Sequence, residues 1–376
     1  MTLFIREART EREIREFIEY PLFLYRDDPL YSPQLTRDLV PHFTDKNPFF
    51  RHAEARYFLA YRDGKIVGRI ASIINHLHNQ YHSDHTGFFG FYESINDQAV
   101  ADALLCAVEA DLRMRGMQII RGPVSFSTNE ECGLLVEGFE YPSMLMTPYN
   151  KRYYDSLMKN AGYTKTKDLY AFLHDVKDAL PEKVLRVAAI AEKRGIIAKQ
   201  LDKKHFLDAM RSFRIVYNAA WAGNWCFVPI TEEELEYDAA RLKPLIRPDV
   251  MAIAFHNGEA VGFCGMVPDF NIVLRRMHGK TNPWTLLKAL FTLPTVKDLR
   301  LLLLGIRPEY RNKGVDGILF REAFKGVKGG GYKRVEFSWI LEDNIATIRL
   351  AEMAGSRRWK IFRIYEKPIA ESGQLA

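Results

Sequence analysis

Three pairs of segments in this chain echo one another at nearly the same separation, about half its length. The strongest pair is "LAYRDGKIVGRIA", from Leu59, and "IAFHNGEAVGFCG", from Ile253. Each reads as an apolar strand, a two-residue turn and a second strand containing Val-Gly. Asp63-Gly64 and Asn257-Gly258 supply the positive backbone angles that a tight hairpin needs. The second pair is "YYDSLMKNAGYTKTKDLYAF", ending at Phe172, and "ATIRLAEMAGSRRWKIFRIY", ending at Tyr365. Each predicts a short helix, a glycine that stops it (Gly162, Gly355) and a closing aromatic strand. A weaker third pair sets "FIREARTEREIREFIEY" against "IAKQLDKKHFLDAMRSF". Three echoes in register mean an internal duplication. The chain is therefore expected to fold as two similar halves, which its 376 residues accommodate.

Each half predicts strand, helices, hairpin, strand, helix, strand, helix, strand. In the first, Val100, Leu104, Leu105, Val108 and Leu112 form one helical face that Gly116 ends. In the second, Val315, Ile318, Leu319, Ala323 and Val327 do the same before Gly329-Gly330-Gly331. Such alternation implies the α/β class: in each half a mixed α+β sheet with helices on both faces. "LPEKVLRVAAIAEKRG" predicts a linking helix, which puts the boundary near residue 178 and the halves at 1–178 and 179–376. Only the second half carries a long insert, "DFNIVLRRMHGKTNPWTLLKALFTLPTVKD". It is either a functional loop or an extra helix packing on the other half.

The apolar strand "RLLLLGI" is left by way of "IRPEYRNKGVDG", residues 306–317, and a helix follows near Val315. N–H groups at a helix start have no internal partner, and the helix dipole adds positive potential. A pyrophosphate can be held there if no side chain blocks its approach. Gly314 removes one such obstacle, and Arg311 and Lys313 add cationic charge. The same composition also occurs in plain surface loops.

Here the chain resembles the GNAT acyltransferase superfamily. "GIRPEYRNKGVDGILF" is similar to that superfamily's acetyl-CoA-binding segment: Gln or Arg, two residues, Gly, one residue, Gly or Ala. Arg311 and Gly314 match, while Asp316 departs, with Gly317 next to it. "EDNIATIRLAEMAG" is similar to the following motif, with Asn344 and Gly355 at the expected spacing. The resemblance implies two tandem GNAT-like domains and acetyl-CoA, or another acyl-CoA, as donor. It implies that Leu304 and Ile306 hold the pantetheine arm and that Asn344 lies near the thioester. It implies a phosphate loop made of Arg311, Asn312, Lys313, Gly314, Val315, Asp316 and Gly317. "NPFF", "GFFGFYE", "GLLVEGF" and "NWCFVP" further resemble a bacterial group of tandem-GNAT N-acetyltransferases. The implied activity is acyl transfer, most simply of an acetyl group, to a primary amine of a small molecule or peptide by direct attack.

Many members of the superfamily carry a Tyr four residues before that Gly, which protonates the leaving thiolate; here the position is Ala351. A general base must take a proton from the ammonium substrate. Tyr365, Glu336 and Asp269, near predicted strand ends, are the catalytic candidates. "YNAAWAGNWCFVPIT", from Tyr217, either walls an acceptor pocket or forms an aromatic core cluster. Asn218, Trp225 and, from the insert, Asn271 are the substrate-binding candidates. In the first half the corresponding "FYESINDQAV" lacks glycine and carries Glu93 and Asp97, negative charge where the ligand would be negative. That half is expected to lack the acyl-CoA site.

His76, His78, His82 and His85 match no zinc spacing and have no cysteine near, so no metal is expected. Cys106, Cys132, Cys226 and Cys264 form no C-x-x-C pair and read as free thiols in a reducing compartment. "MTLFIREART" places charge where a signal peptide needs its apolar segment. The most apolar region, residues 284–306, is interrupted by Lys288, Pro294, Lys297, Asp298 and Arg300. A cytoplasmic protein without a transmembrane segment is expected. The net charge of +6 permits an anionic ligand but gives no argument for nucleic acid. Three other readings stay open. One is a Fem-like aminoacyltransferase, which would need a larger basic groove. Another is a long-chain acyltransferase, given the Leu, Phe and Trp of the insert. The third is a non-catalytic CoA-binding module, given Asp316 and Ala351.

Overall fold

A computed structural model describes residues 2–177, 179–243 and 245–369, so the boundary expected at residue 178 lies outside the described residues. The chain begins β1 (Leu3–Ala8), α1 (Glu11–Leu24), α2 (Thr36–Leu39), β2 (Ala53–Arg62), β3 (Lys65–Asn75), α3 (His76–His82), β4 (Thr86–Ser94) and α4 (Gln98–Met114). It continues β5 (Ile119–Gly122), β6 (Leu134–Glu137), α5 (Tyr154–Asn160), β7 (Thr164–Asp175), α6 (Glu182–Lys193), β8 (Ile197–Gln200), α7 (Phe206–Ala220) and α8 (Glu232–Leu242). It ends β9 (Met251–His256), β10 (Glu259–Pro268), α9 (Asn271–Met277), α10 (Pro283–Thr292), β11 (Asp298–Ile306), α11 (Val315–Gly329), β12 (Arg334–Leu341), α12 (Ile345–Met353) and β13 (Arg357–Pro368).

Two compact units are present. The first takes the chain up to Tyr170, adds Asn271–Leu290 and finishes with the residues from Lys360. The second comprises Ala171–Phe270 and Phe291–Trp359. The insert supplies α9 and α10, and α9 belongs to the first unit.

In the first unit the strand order is β1-β2-β3-β4-β5-β13, with β6 also on β13. Of these pairings β4–β5 is parallel and the others are antiparallel. The β2–β3 hairpin turns on Asp63 and Gly64, at φ 50° and 76°, as its sequence demands. Val100, Leu104, Leu105, Val108 and Leu112 of α4 are buried against Ile70, Phe89 and Ile120. Asn75 caps α3, which holds His76, His78 and His82. Among the described residues no set of three or more His, Cys, Asp or Glu side chains could hold a metal ion.

In the second unit β8, β9, β10 and β11 are antiparallel neighbours in that order, and β12 lies parallel to β11. Asn257 and Gly258 turn the β9–β10 hairpin at φ 51° and 85°. One face of this sheet buries Val315, Ile318, Leu319, Ala323 and Val327 of α11 with Ala188 and Ala191 of α6. The other face meets α7, where the Phe213 and Phe263 rings stand 5.0 Å apart. Cys106 is exposed and Cys132, Cys226 and Cys264 are buried, all as free thiols.

Candidate functional site

Strands β11 and β12 are paired only from Asp298↔Arg334 to Leu301↔Phe337. Both run on past that point, β11 to Ile306 and β12 to Leu341. On its other edge β11 stays with β10, but the register passes from Leu301↔Met266 to Leu303↔Gly265. Leu302 is thus one residue extra, a β-bulge that bends its strand. It also switches the alternation, so that Leu299 and Leu301 before it, and Leu304 and Ile306 after it, all turn towards the α11 core. The two strands open into a V. Along its β11 arm, backbone N–H and C=O groups face no neighbouring strand, and an extended ligand arm carrying amides can pair there as a strand would. Gly305 is glycine for space: a Cβ would run into the Trp221 indole at the end of α7. That indole is stacked on Tyr217, 4.8 Å between ring centres.

Beyond Ile306 the chain makes one turn over Pro308–Tyr310 and starts α11 with Gly314 as N-cap. Asn312 and Gly314 have φ of 58° and 85°, and no side chain caps the helix. The first-turn N–H groups therefore have no intrahelical or capping partner, and the dipole keeps this end positive. Arg311, Asn312 and Lys313 are exposed around it. Arg311 Nη2 donates to Ala220 O at 2.9 Å, and Lys313 Nζ stands 4.9 Å from the Tyr310 ring centre. The half-buried Asp316 lies in the first turn, where its charge complements the dipole.

Gly314 and Gly317 have a different duty from the one their spacing suggests. A Cβ on Gly314 would run into Val187 O, and one on Gly317 would sit 2.8 Å from Ala188 N, both on α6. Helix α6 fills the space beside both glycines. What is left for an anion is the uncapped N–H groups, not a gap made by Gly314.

At the vertex of the V, Arg300 and Glu336 are register partners. By alternation they lie on the face opposite Leu299, Leu301 and Val335, the α7 side. Glu336 is fully buried. Its Oε1 accepts from Ser338 Oγ at 2.7 Å and lies 3.9 Å from Arg300 Nε. Arg300 Nε in turn donates to Ser338 Oγ at 2.8 Å, and its guanidinium sits 4.7 Å from the Trp339 ring centre. Glu336 Oε2 is buried without a hydrogen-bond partner. On the other face, the His174 ring lies 5.8 Å from Phe337 and its Nδ1 is 3.3 Å from Ser356 Oγ. Burial pushes the His174 pKa down, which favours its neutral imidazole.

The remaining sequence candidates are spread more widely. Asn344 caps α12, accepting from Thr347 N at 3.2 Å. Asn218 clamps the loop after α7, donating to Ile230 O at 3.2 Å and accepting from Ile230 N at 3.0 Å. Trp225 is half-buried in that loop. Asp269 is buried just after β10, where its N–H donates to Asp298 O at 2.9 Å. Asn271 and Tyr365 belong to the first unit. There Asn271 Nδ2 donates to Ser143 O at 3.0 Å, and the buried Tyr365 hydroxyl donates to Asp155. Burial pushes the Tyr365 phenol up, which makes it a core tyrosine held by an acid. The sequence pattern does not single out Arg300, Ser338 or His174, and it offers Trp221 only as part of "YNAAWAGNWCFVPIT". The one available signal was the glycine inside "RLLLLGI", since glycine within a strand marks a close approach.

A strand opened by a bulge and followed by an uncapped, basic helix start is the framework of an acyl-CoA-using N-acyltransferase. Residues 215–355 match the family described as the acetyltransferase (GNAT) family. Over the whole chain the fold is similar to a tandem GNAT protein from the clavulanic acid biosynthesis pathway, at a TM-score of 0.56 and 11% identity. That likeness covers 99% of this chain and 100% of the other. A GCN5-related N-acetyltransferase from Sphaerobacter thermophilus gives 0.52 at 14% identity, covering 98% and 96%.

This chain belongs to the GNAT superfamily of N-acyltransferases and has two tandem GNAT-like halves. It is 33% identical over 370 residues to the bacterial ceramide synthase of Caulobacter vibrioides, covering 96% of each chain. It is 31% identical over 371 residues to Protein YghO of Escherichia coli, covering 97% of this chain and 95% of that one. Among the described residues no helix is long and apolar enough to cross a membrane.

Proposed function

We propose that this protein transfers a long acyl group from acyl-CoA to the primary amine of a long-chain amino alcohol, forming an amide of the ceramide type. The open β11–β12 V beside the uncapped start of α11 carries the acyl-transfer reading. The acceptor class is supported by the relative named bacterial ceramide synthase, which matches almost end to end. Acetyl transfer is the shortest case of the same chemistry. A cytoplasmic location, where acyl-CoA is made, belongs to the same reading.

In this mechanism the β11 edge pairs with the pantetheine amides, and the α11 N–H groups with Arg311 and Lys313 neutralise the pyrophosphate. The amine nitrogen attacks the thioester carbon; the C–N bond forms, the C–S bond breaks and the thiolate leaves. The proton lost by the ammonium passes to Glu336 Oε2, directly or through water. Most of the acceleration comes from positioning. Ala351 leaves no side-chain acid at the usual place, so the thiolate takes its proton from solvent.

The test is a matrix of donors and acceptors with the purified chain. Acetyl-, octanoyl- and palmitoyl-CoA are each offered with sphinganine, glucosamine and a lysine peptide, reading free thiol and N-acyl product by mass spectrometry. Palmitoyl-CoA with sphinganine is expected to give the amide. Turnover only with acetyl-CoA and a small amine, or with no pair, would overturn the reading.

A further inference from the structure

Helix α10 is built the wrong way round for a helix of a globular surface. Such helices bury their large apolar side chains and expose polar ones. Here Thr285 is the one buried residue and Ala289 and Thr292 are half-buried, so the inward stripe is made of small residues. Outward stand Trp284, Leu286, Leu287, Leu290, Phe291 and, one residue past the helix end, Leu293. Trp284 is 67% exposed and Phe291 75%. A contiguous patch of this kind marks an interaction surface.

The helix does not need those side chains for its own formation. Thr285 N donates to Asn282 Oδ1 and Asn282 N donates to Thr285 Oγ1, each at 3.0 Å, a reciprocal cap at its start. Thr285 Oγ1 also donates to Lys280 O at 2.8 Å. The apolar face is thus held out on a fixed frame.

Charge indicates what covers it. Between Asp269 and Asp298 the sequence contains Arg275, Arg276, Lys280, Lys288 and Lys297 and no acidic residue. Those five positive charges compare with a net charge of +6 for the whole chain. Arg276, Lys280 and Lys288 are exposed. A short helix with Trp, Leu and Phe outward, flanked by cations, has the chemistry of an interfacial helix on an anionic bilayer.

We infer that α10 is a membrane-surface anchor that lays its apolar face into the headgroup region of an anionic bilayer without crossing it. The inference rests on the helix and its charge, not on the identity of the acyl acceptor. A bilayer location would give the protein access to any amine substrate that partitions into lipid.

The experiment is vesicle flotation of the full chain, wild type and the Leu287→Glu/Phe291→Glu double variant. Phosphatidylcholine vesicles are compared with phosphatidylcholine–phosphatidylglycerol vesicles. Both side chains are exposed, so the variant should keep the wild-type melting temperature and its turnover of detergent-dispersed sphinganine in the absence of vesicles. Wild type is expected to float with the anionic vesicles, with binding weakened by salt. The double variant should lose that binding about tenfold or more. Three results would overturn the inference: wild type that does not float, a variant that floats equally well, or wild type that forms a dimer without vesicles while the variant does not. The last would assign the helix to a second copy. Turnover measured in parallel keeps a failure here distinct from a failure of the acyl-transfer reading.

Discussion

Both halves contain a parallel strand pair that stops pairing early, yet only one leaves the opening free. In the first unit β4 and β5 are paired from Thr86↔Ile119 to Phe88↔Arg121, much as β11 and β12 are. The strand before the helix is irregular there too, with a register shift against β3 and Phe91 at φ 50°. The chain leaving β5 then fills the gap. Val124 N donates to Phe89 O at 2.8 Å, and Phe126 is fully buried with its ring 4.8 Å from Phe91. Gly90 and Gly122 permit this, since a Cβ on the first would run into Val124 O and on the second into Phe89 O.

The helix starts differ in the same sense. Asp97 caps α4, accepting from Val100 N at 3.2 Å, and is paired with Arg62 at 2.7 Å. Its carboxylate occupies the position in which an anionic ligand would be held. Gly314 caps α11 with no side chain at all. A duplicated frame can therefore keep its shape in both copies while the ligand-holding groups survive in one. The difference lies in one strand exit and one capping residue.

The largest expected effect is at the vertex of the open V. Glu336→Gln should lower kcat by about 100-fold or more while acyl-CoA binding persists. Unchanged turnover would remove Glu336 from the chemistry. Glu336→Ala should also cost about 3–5 kcal/mol of stability, because it removes the carboxylate beside the buried Arg300 guanidinium. Thermal melts of the two variants separate these effects.

A smaller effect compares two glycines at positive φ. Gly64 has nothing within 4 Å of an added Cβ, whereas Gly314 has α6 against it. Gly64→Ala should cost about 1–2 kcal/mol of backbone strain. Gly314→Ala should cost about 1–3 kcal/mol more through displacement of α6. Equal costs in chemical denaturation would mean that α6 does not press on the α11 start. The same packing makes any bulky residue at 314 a poor test of ligand access, because it strikes α6 first.

The smallest effect concerns the closed half. Asp97→Asn keeps a capping oxygen but removes the ion pair, and acyl-CoA binding should not change. The Arg62 hydrogen bond holds the Asp97 carboxyl below the usual range. A lowered folded pKa stabilises the fold above the unfolded pKa, and that contribution is lost as pH falls through the folded value. The melting difference between wild type and Asp97→Asn should therefore be present at neutral pH and shrink below about pH 4. A difference that grew on acidification would contradict the pairing.

Much of this comparison was legible in the sequence, because its signals are local. The hairpin turns at Asp63-Gly64 and Asn257-Gly258, the buried faces of α4 and α11, and the glycine stops depend on neighbours a few residues away. The basic loop from Arg311 to Gly314 was visible for the same reason. The rest depends on register and on packing between distant segments. Nothing near Leu302 marks it as the bulged residue, and nothing near Val124 marks it as the plug of the first V. Gly314 reads as a phosphate-loop glycine, but its missing Cβ serves α6, more than a hundred residues earlier in the chain. The hydrogen-bond partners of Tyr365 and Asn271, Asp155 and Ser143, are likewise remote in sequence.

The most direct measurement of the central claim is calorimetric titration of palmitoyl-CoA into wild type, Asp97→Asn and the Arg311→Glu/Lys313→Glu double variant. One open V predicts one mole of ligand per chain, unchanged by Asp97→Asn. It predicts affinity lowered about tenfold or more by the loop variant, which turns two cations into anions beside the pyrophosphate. Two moles per chain, or binding indifferent to Arg311 and Lys313, would contradict it.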